Sequence, residues 1–170
     1  TREPHDFARA WEDAAERAAV LAKMETLARA QLAAYGGAAA APAPTTAAKG
    51  RGTKSGTASK TTSKLRRAVP VVASPVALMD EVLKGYTLSY GGDPTYVLMA
   101  HTAGTGAALR YVTIVAQTDS MGGMKAAIEN VTDAAHLDRT PRMRLVDVVD
   151  AEASNRASLL FELRWQSSRQ

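Results

Sequence analysis

Apolar positions along this chain keep two different periods. From Pro4 to Tyr35 they recur at spacings of three and four, through Phe7, Trp11, Ala14, Ala18, Leu21, Met24, Ala28, Leu32 and Tyr35, which predicts one amphipathic helix with a single apolar stripe. Proline suits a first helical turn, Asp13 to Arg17 and Glu25 to Arg29 add oppositely charged pairs at helical spacing, and Gly36-Gly37 supplies a stop. From about Val69 the period falls to two. Val82, Lys84, Tyr86, Leu88 and Tyr90 alternate with Glu81, Leu83, Gly85, Thr87 and Ser89 as a strand, ended by Gly91-Gly92-Asp93-Pro94. Thr95 to Thr102 and Leu109 to Thr118 flank Ala103-Gly104-Thr105-Gly106-Ala107, the pattern of a hairpin. Met121 to Val131 fits either a helical turn or a strand, and His136 to Pro141 reads as a loop. Arg142 to Arg164 is the clearest element. Val146 and Val148 precede the turn formers of Asp150 to Ala157, and Leu159, Leu160, Phe161 and Leu163 follow them, as in a second hairpin.

These elements predict an α+β chain: an N-terminal amphipathic helix over 1–37, a low-complexity linker over 38–68, and an antiparallel β domain over 69–170. The five to six strands of that domain would form a β-meander or one propeller-like blade. A single blade cannot close a propeller. The sheet is therefore expected to fold into a small sandwich or barrel, to lie under the helix, or to pair an edge with another chain.

Charge sharpens the picture of the linker. The formal net charge of the 170-residue chain is +4, yet all of the excess sits in Lys49, Arg51, Lys54, Lys60, Lys64, Arg66 and Arg67, with no acid between Gly36 and Met79. Alanine, proline, glycine, serine and threonine dominate this segment, so in isolation it cannot repay the entropy of ordering and reads as a spacer. The sharper reading is a polyanion-binding arm, although it has no aromatic residue on which a base could stack. No apolar run approaches the roughly 20 residues of a membrane span. The absence of cysteine removes disulfides, thiolate metal sites and thiol nucleophiles from consideration.

The second hairpin's loop carries a resemblance. Asp150, Glu152 and Ser154 fall at alternate positions, followed by Asn155 and Ser158-Leu159-Leu160. The run resembles the Asp-x-Asp-x-Asp-Gly-x-x-Asp-Leu unit of FG-GAP-type propeller repeats, whose acidic side chains and a loop carbonyl would bind calcium. Here Ser154, Asn155 and Ser158 stand where that unit has an acid, a glycine and an acid, so the resemblance implies the turn without the metal. The longer stretch from Arg110 to Arg164 is similar to bacterial proteins of the cell envelope that end in such a module. That likeness implies an envelope or extracellular setting, leaves a cytoplasmic one open, favours a strand over Met121 to Val131, and brings no activity with it.

Candidate chemistry is sparse. Gly104-Thr105-Gly106 lacks the third glycine and following helix of a dinucleotide fingerprint and reads as a turn. Asp133, His136 and Asp138 have ligand chemistry at close spacing but include one imidazole only, which favours a polar loop over a metal site. His101 has no local nucleophile partner, and Asp147, Asp150, Glu152 and Glu162 read as solvated acids on one hairpin. The expectation is a non-enzymatic structural or protein-interaction module without cofactor. It would assemble into a homo-oligomer or filament through the helix stripe (Phe7, Trp11, Leu21, Leu32) or an edge strand. The alternative is a nucleic-acid- or polyanion-associated protein using the basic arm.

Overall fold

A computed structural model describes residues 7–38, 76–152 and 154–166. The basic residues from Lys49 to Arg67 lie outside the described residues, as does the linker from residue 39 onward. The elements run α1 (Ala14–Ala38), β1 (Leu78–Tyr86), β2 (Thr95–Thr102), a short 3-10 turn at Gly106–Ala108, β3 (Arg110–Thr118), β4 (Met124–Asp133), β5 (Arg142–Val149) and β6 (Ser158–Arg164). The fold is α+β with six strands among the described residues. β1 to β4 form one antiparallel meander in chain order, and β5 with β6 forms a separate two-stranded ladder.

Side chains alternate across a strand, so each strand feeds two faces. On one face Leu83, Tyr96, Leu98, Ala100, Val112, Ile114 and Ala116 meet Val20, Met24, Ala28 and Leu32 of α1. On the other, Tyr86, Val97 and Val115 meet Leu145 and Val148 of β5. The molecule thus stacks helix, sheet and hairpin in three layers. β2 and β3 are covered on both faces over most of their length, which is why their sequences run almost continuously apolar while β5 and β6 alternate.

The helix begins later than its apolar spacing suggests. Asp13 is its N-cap: the carboxylate accepts the Ala15 N–H at 2.7 Å and its carbonyl accepts the Arg17 N–H at 3.1 Å. Ala14 and Ala18 are exposed, and the buried stripe is Val20, Met24, Ala28 and Leu32. Of the two expected ion pairs, Glu25 with Arg29 forms at 2.7 Å. Arg17 instead sits in the first turn above the cap.

Residues 7–11 form a strap ahead of α1. The Arg9 N–H donates to the Gly85 carbonyl at 2.7 Å, the Thr87 N–H donates to the Phe7 carbonyl at 2.9 Å, and Ala8 bridges to Tyr86. The strap passes around the edge of β1. Phe7 is fully buried on the hairpin side, whereas Trp11 packs on the helix side with its ring 5.7 Å from Tyr96. Gly85 makes the close approach feasible, because a Cβ there would stand 3.3 Å from both the Arg9 and Trp11 side chains. The expected association face is consequently consumed within the chain: Phe7 and Leu32 are buried in the two cores, and Trp11 and Leu21 pack against the helix-side core.

β1 also differs from its sequence pattern. It starts at Leu78 and carries a register irregularity between Met79 and Val82, so its alternation is broken where the strand begins. Its pairing with β2 ends at Tyr86, and Tyr90, read as the strand's last apolar position, is almost fully exposed. Met124–Asp133 is a strand throughout, so of the two alternatives open over Met121 to Val131 the strand is the one formed. No helix among the described residues is long and apolar enough to cross a membrane.

Candidate functional site: a cationic groove beside β5

β5 lies over β3 and β4, and the residue just before β6 reaches the segment after β1 through the Ala157 N–H to Leu88 carbonyl bond of 2.7 Å. Between these contacts the hairpin-side surface of β1 and β2 stays open. The opening is a groove of about 510 Å³, with Val82, Met99, His101 and Tyr111 as its floor and Arg142 and Arg144 of β5 as its wall.

The irregularity in β1 builds one end of this groove. Asp80 sits there at φ +50°, a left-handed conformation that aspartate tolerates better than most residues. It places the carboxylate 2.8 Å from His101 Nε2, while His101 Nδ1 faces the Thr102 carbonyl at 3.1 Å. Both ring nitrogens thus face acceptors, an arrangement only the doubly protonated imidazolium satisfies in full. The hydrogen bond to Asp80 first, and the Thr102 carbonyl second, raise the His101 pKa above its ordinary value, against burial and the nearby Arg142 charge. Asp80 itself is 85% exposed, so water screens the pair and its net worth is small. What the pair fixes is the ring's orientation, and it favours the protonated form.

Tyr111 organises the other end. Its ring lies edge-on to His101 with centroids 6.2 Å apart, and the Arg142 guanidinium stands 4.2 Å above the same ring. The Thr113 hydroxyl donates to the Met143 carbonyl at 2.9 Å, which pins β5 to the sheet. The Leu145 N–H, on the β5 edge that faces the groove, reaches only the thioether of Met99 at 3.3 Å, a weak acceptor. Two guanidinium groups above an apolar floor, with the Asp80 carboxylate already engaged by His101, suit recognition of an anion. His101 offers no unengaged ring nitrogen to serve as a general base.

The residues singled out in the sequence lie elsewhere. Asp133 is 3% exposed and accepts from the Tyr35 hydroxyl at 3.0 Å, His136 Nδ1 at 2.8 Å and the Ala135 N–H at 2.9 Å. Burial alone would push its carboxyl up, but these donors together outweigh burial and hold it below its ordinary value. Arg110 stacks 5.5 Å over the Tyr35 ring and donates to the Leu32 carbonyl at 3.3 Å, so the cluster latches the helix C-terminus to β3 and β4. Asp138 turns away, toward Arg139 at 3.9 Å.

Asp150 commits both carboxylate oxygens to the backbone, accepting the Ser154 N–H at 3.0 Å and the Asn155 N–H at 2.9 Å. Asn155 takes the left-handed conformation, φ +57°, at the position where the intact repeat has glycine. Asp147 and Glu162 are not joined to this loop: Glu162 pairs with Arg164 at 3.0 Å, and Asp147 accepts the Val148 N–H at 2.8 Å. Gly104 turns the first hairpin at φ +125°, where a Cβ would meet that of Ala108 at 2.8 Å. No group of three or more histidine, aspartate or glutamate side chains arranged to hold a metal ion occurs among the described residues. Comparison with protein-family models, with curated proteins and with solved structures finds no match.

Proposed function

We propose that this chain is a non-enzymatic protein-interaction module whose binding surface is the groove beside β5. The observation that carries the reading is the engagement of both His101 ring nitrogens, by the Asp80 carboxylate and the Thr102 carbonyl, which favours the protonated ring and leaves neither nitrogen open beside Arg142 and Arg144. An apolar floor beside fixed charge supports selective adhesion of a peptide better than it supports bond making. The volume falls within the range of roughly 300–1,000 Å³ typical of ligand sites. The setting we infer, the bacterial envelope or extracellular space, rests on the resemblance of the Arg110 to Arg164 stretch alone.

Panning a random peptide library against the full chain and against Val82→Arg tests the reading. Val82 is 42% exposed on the groove floor, so an arginine there fills the groove without disturbing a buried side chain. Peptides that enrich on the parent and fail on the variant are the expected outcome. Enrichment that ignores the substitution, or none at all, would overturn it.

A second reading, self-assembly into a homo-oligomer or filament, is favoured by the exposed surface of the β5–β6 hairpin. Val146 and Trp165 are each 57% exposed, and Leu160 and Leu163 each 49%. Sedimentation of the full chain at tens of micromolar should then show species larger than a monomer that Val146→Glu with Leu160→Glu removes. A monomeric parent chain ends this reading and leaves the groove untouched.

A further inference from the structure

We infer that the groove takes an acidic peptide in extended conformation, added as a strand along the free edge of β5. The inference rests on the interaction-module reading and specifies its ligand. Three observations converge on it.

The first is the edge itself. β5 pairs with β6 on one side only, and on its other side the Leu145 N–H is met by a sulfur and not by an oxygen. A backbone carbonyl is a stronger acceptor than a thioether, so an incoming strand replaces a poor hydrogen bond with a good one. Main-chain pairing of this type supplies affinity without demanding a particular sequence.

The second is the floor. A strand lying along β5 points alternate side chains downward. The surface beneath is Val82 and Met99, apolar and only partly covered, so the downward positions are suited to β-branched or other apolar residues.

The third is charge. Arg142 and Arg144 are on β5 itself, and Asp80, the one acid lining the groove among the described residues, is engaged by His101. Arg142 is held against Tyr111, so its guanidinium is oriented before a ligand arrives. Planar guanidinium groups bind carboxylates through paired N–H donors, and two of them spaced along a strand match carboxylates spaced along its partner. A basic peptide would meet the same arginines with repulsion.

The probe is a short blocked peptide alternating valine and glutamate, with a valine–lysine counterpart and a version of the glutamate peptide N-methylated at alternate residues. Titration into the isotopically labelled full chain, followed by amide chemical shifts, should move Leu145, Val82 and His101 with the glutamate peptide only. N-methylation should abolish the change, since it removes the edge donors. Arg144→Gln, at an exposed position, should weaken binding about tenfold, the size of effect expected for one charge-assisted contact. Arg142→Gln should do the same, but the Arg144 variant keeps the test sound if the Tyr111 contact proves necessary for folding.

Equal binding of the lysine peptide, undiminished binding of the N-methylated peptide, or shifts confined to surfaces away from the groove would refute the inference. If the glutamate peptide fails while panned peptides still depend on Val82, the ligand class is wrong and the interaction module stands. If both fail, the module reading falls with it.

Discussion

Asp80 and Glu81 occupy the irregularity in β1, and each carries a measurable consequence. Asp80 sustains the charge on His101, so Asp80→Asn should lower the histidine's pKa toward its ordinary value, as followed by imidazole proton shifts across a pH titration. The sign follows from linkage. A histidine whose pKa is raised by folding contributes stability that is full below its ordinary value and is lost as pH rises through the raised one. Unfolding midpoints of the parent chain and Asp80→Asn should therefore converge at alkaline pH and separate on acidification. Glu81 behaves oppositely. Burial first, and then the charge and hydrogen bond of Glu25, raise its carboxyl pKa against the pull of Arg29. Its ionised form is thus a cost to the fold at neutral pH. Glu81→Gln keeps a donor toward Glu25, removes the like charge, and should stabilise the protein by about 0.2–0.5 kcal/mol in urea titrations at pH 7, with no gain below the ordinary glutamate range.

The elements were legible to different depths, for identifiable reasons. The β5–β6 hairpin and the β2–β3 hairpin could be read because turn formers bracket strands whose side chains alternate or are apolar throughout. The start of α1 could not, because Phe7 and Trp11 fall by coincidence at helical spacing from Ala14 and Ala18 while belonging to a strap that bonds to the edge of β1 through Phe7 and Arg9. Spacing reports a period, and it is silent on whether the capping aspartate at Asp13 resets it. The groove was invisible for a related reason. Asp80 reaches His101 only because the irregularity in β1 shifts the register of its pairing with β2, and no local spacing encodes that shift. The off-period pair Asp80-Glu81 ahead of Val82 was the one available signal. The helix itself depends on its buried stripe and its latch. Leu32→Ala, at a position 1% exposed, should cost about 2–5 kcal/mol in chemical denaturation. Asp133→Asn should cost about 1.5–3 kcal/mol near neutral pH, and because its carboxyl pKa is lowered that difference should fade as pH drops through the lowered value.

Across the molecule, the two cores sit on opposite faces of one sheet and share the strap. Unfolding should accordingly be a single transition. Trp11 reports the helix side and Trp165 the hairpin end, so fluorescence of single-tryptophan variants should trace coincident curves, and separate midpoints would count against a shared unit. Phe7→Ala should cost about 3–5 kcal/mol, because its side chain is fully buried among Tyr86, Val97, Val115, Leu145 and Val148. The same placement governs the order in which the chain can assemble. Phe7 leaves the ribosome well before β5, yet β5 closes the pocket that receives it. Until Leu145 and Val148 emerge, an aromatic side chain and the unpaired rim of β1 wait exposed to solvent. Because loop closure from Phe7 to β5 precedes the reward of that contact, refolding should be slow and dependent on dilution, with aggregation competing during synthesis.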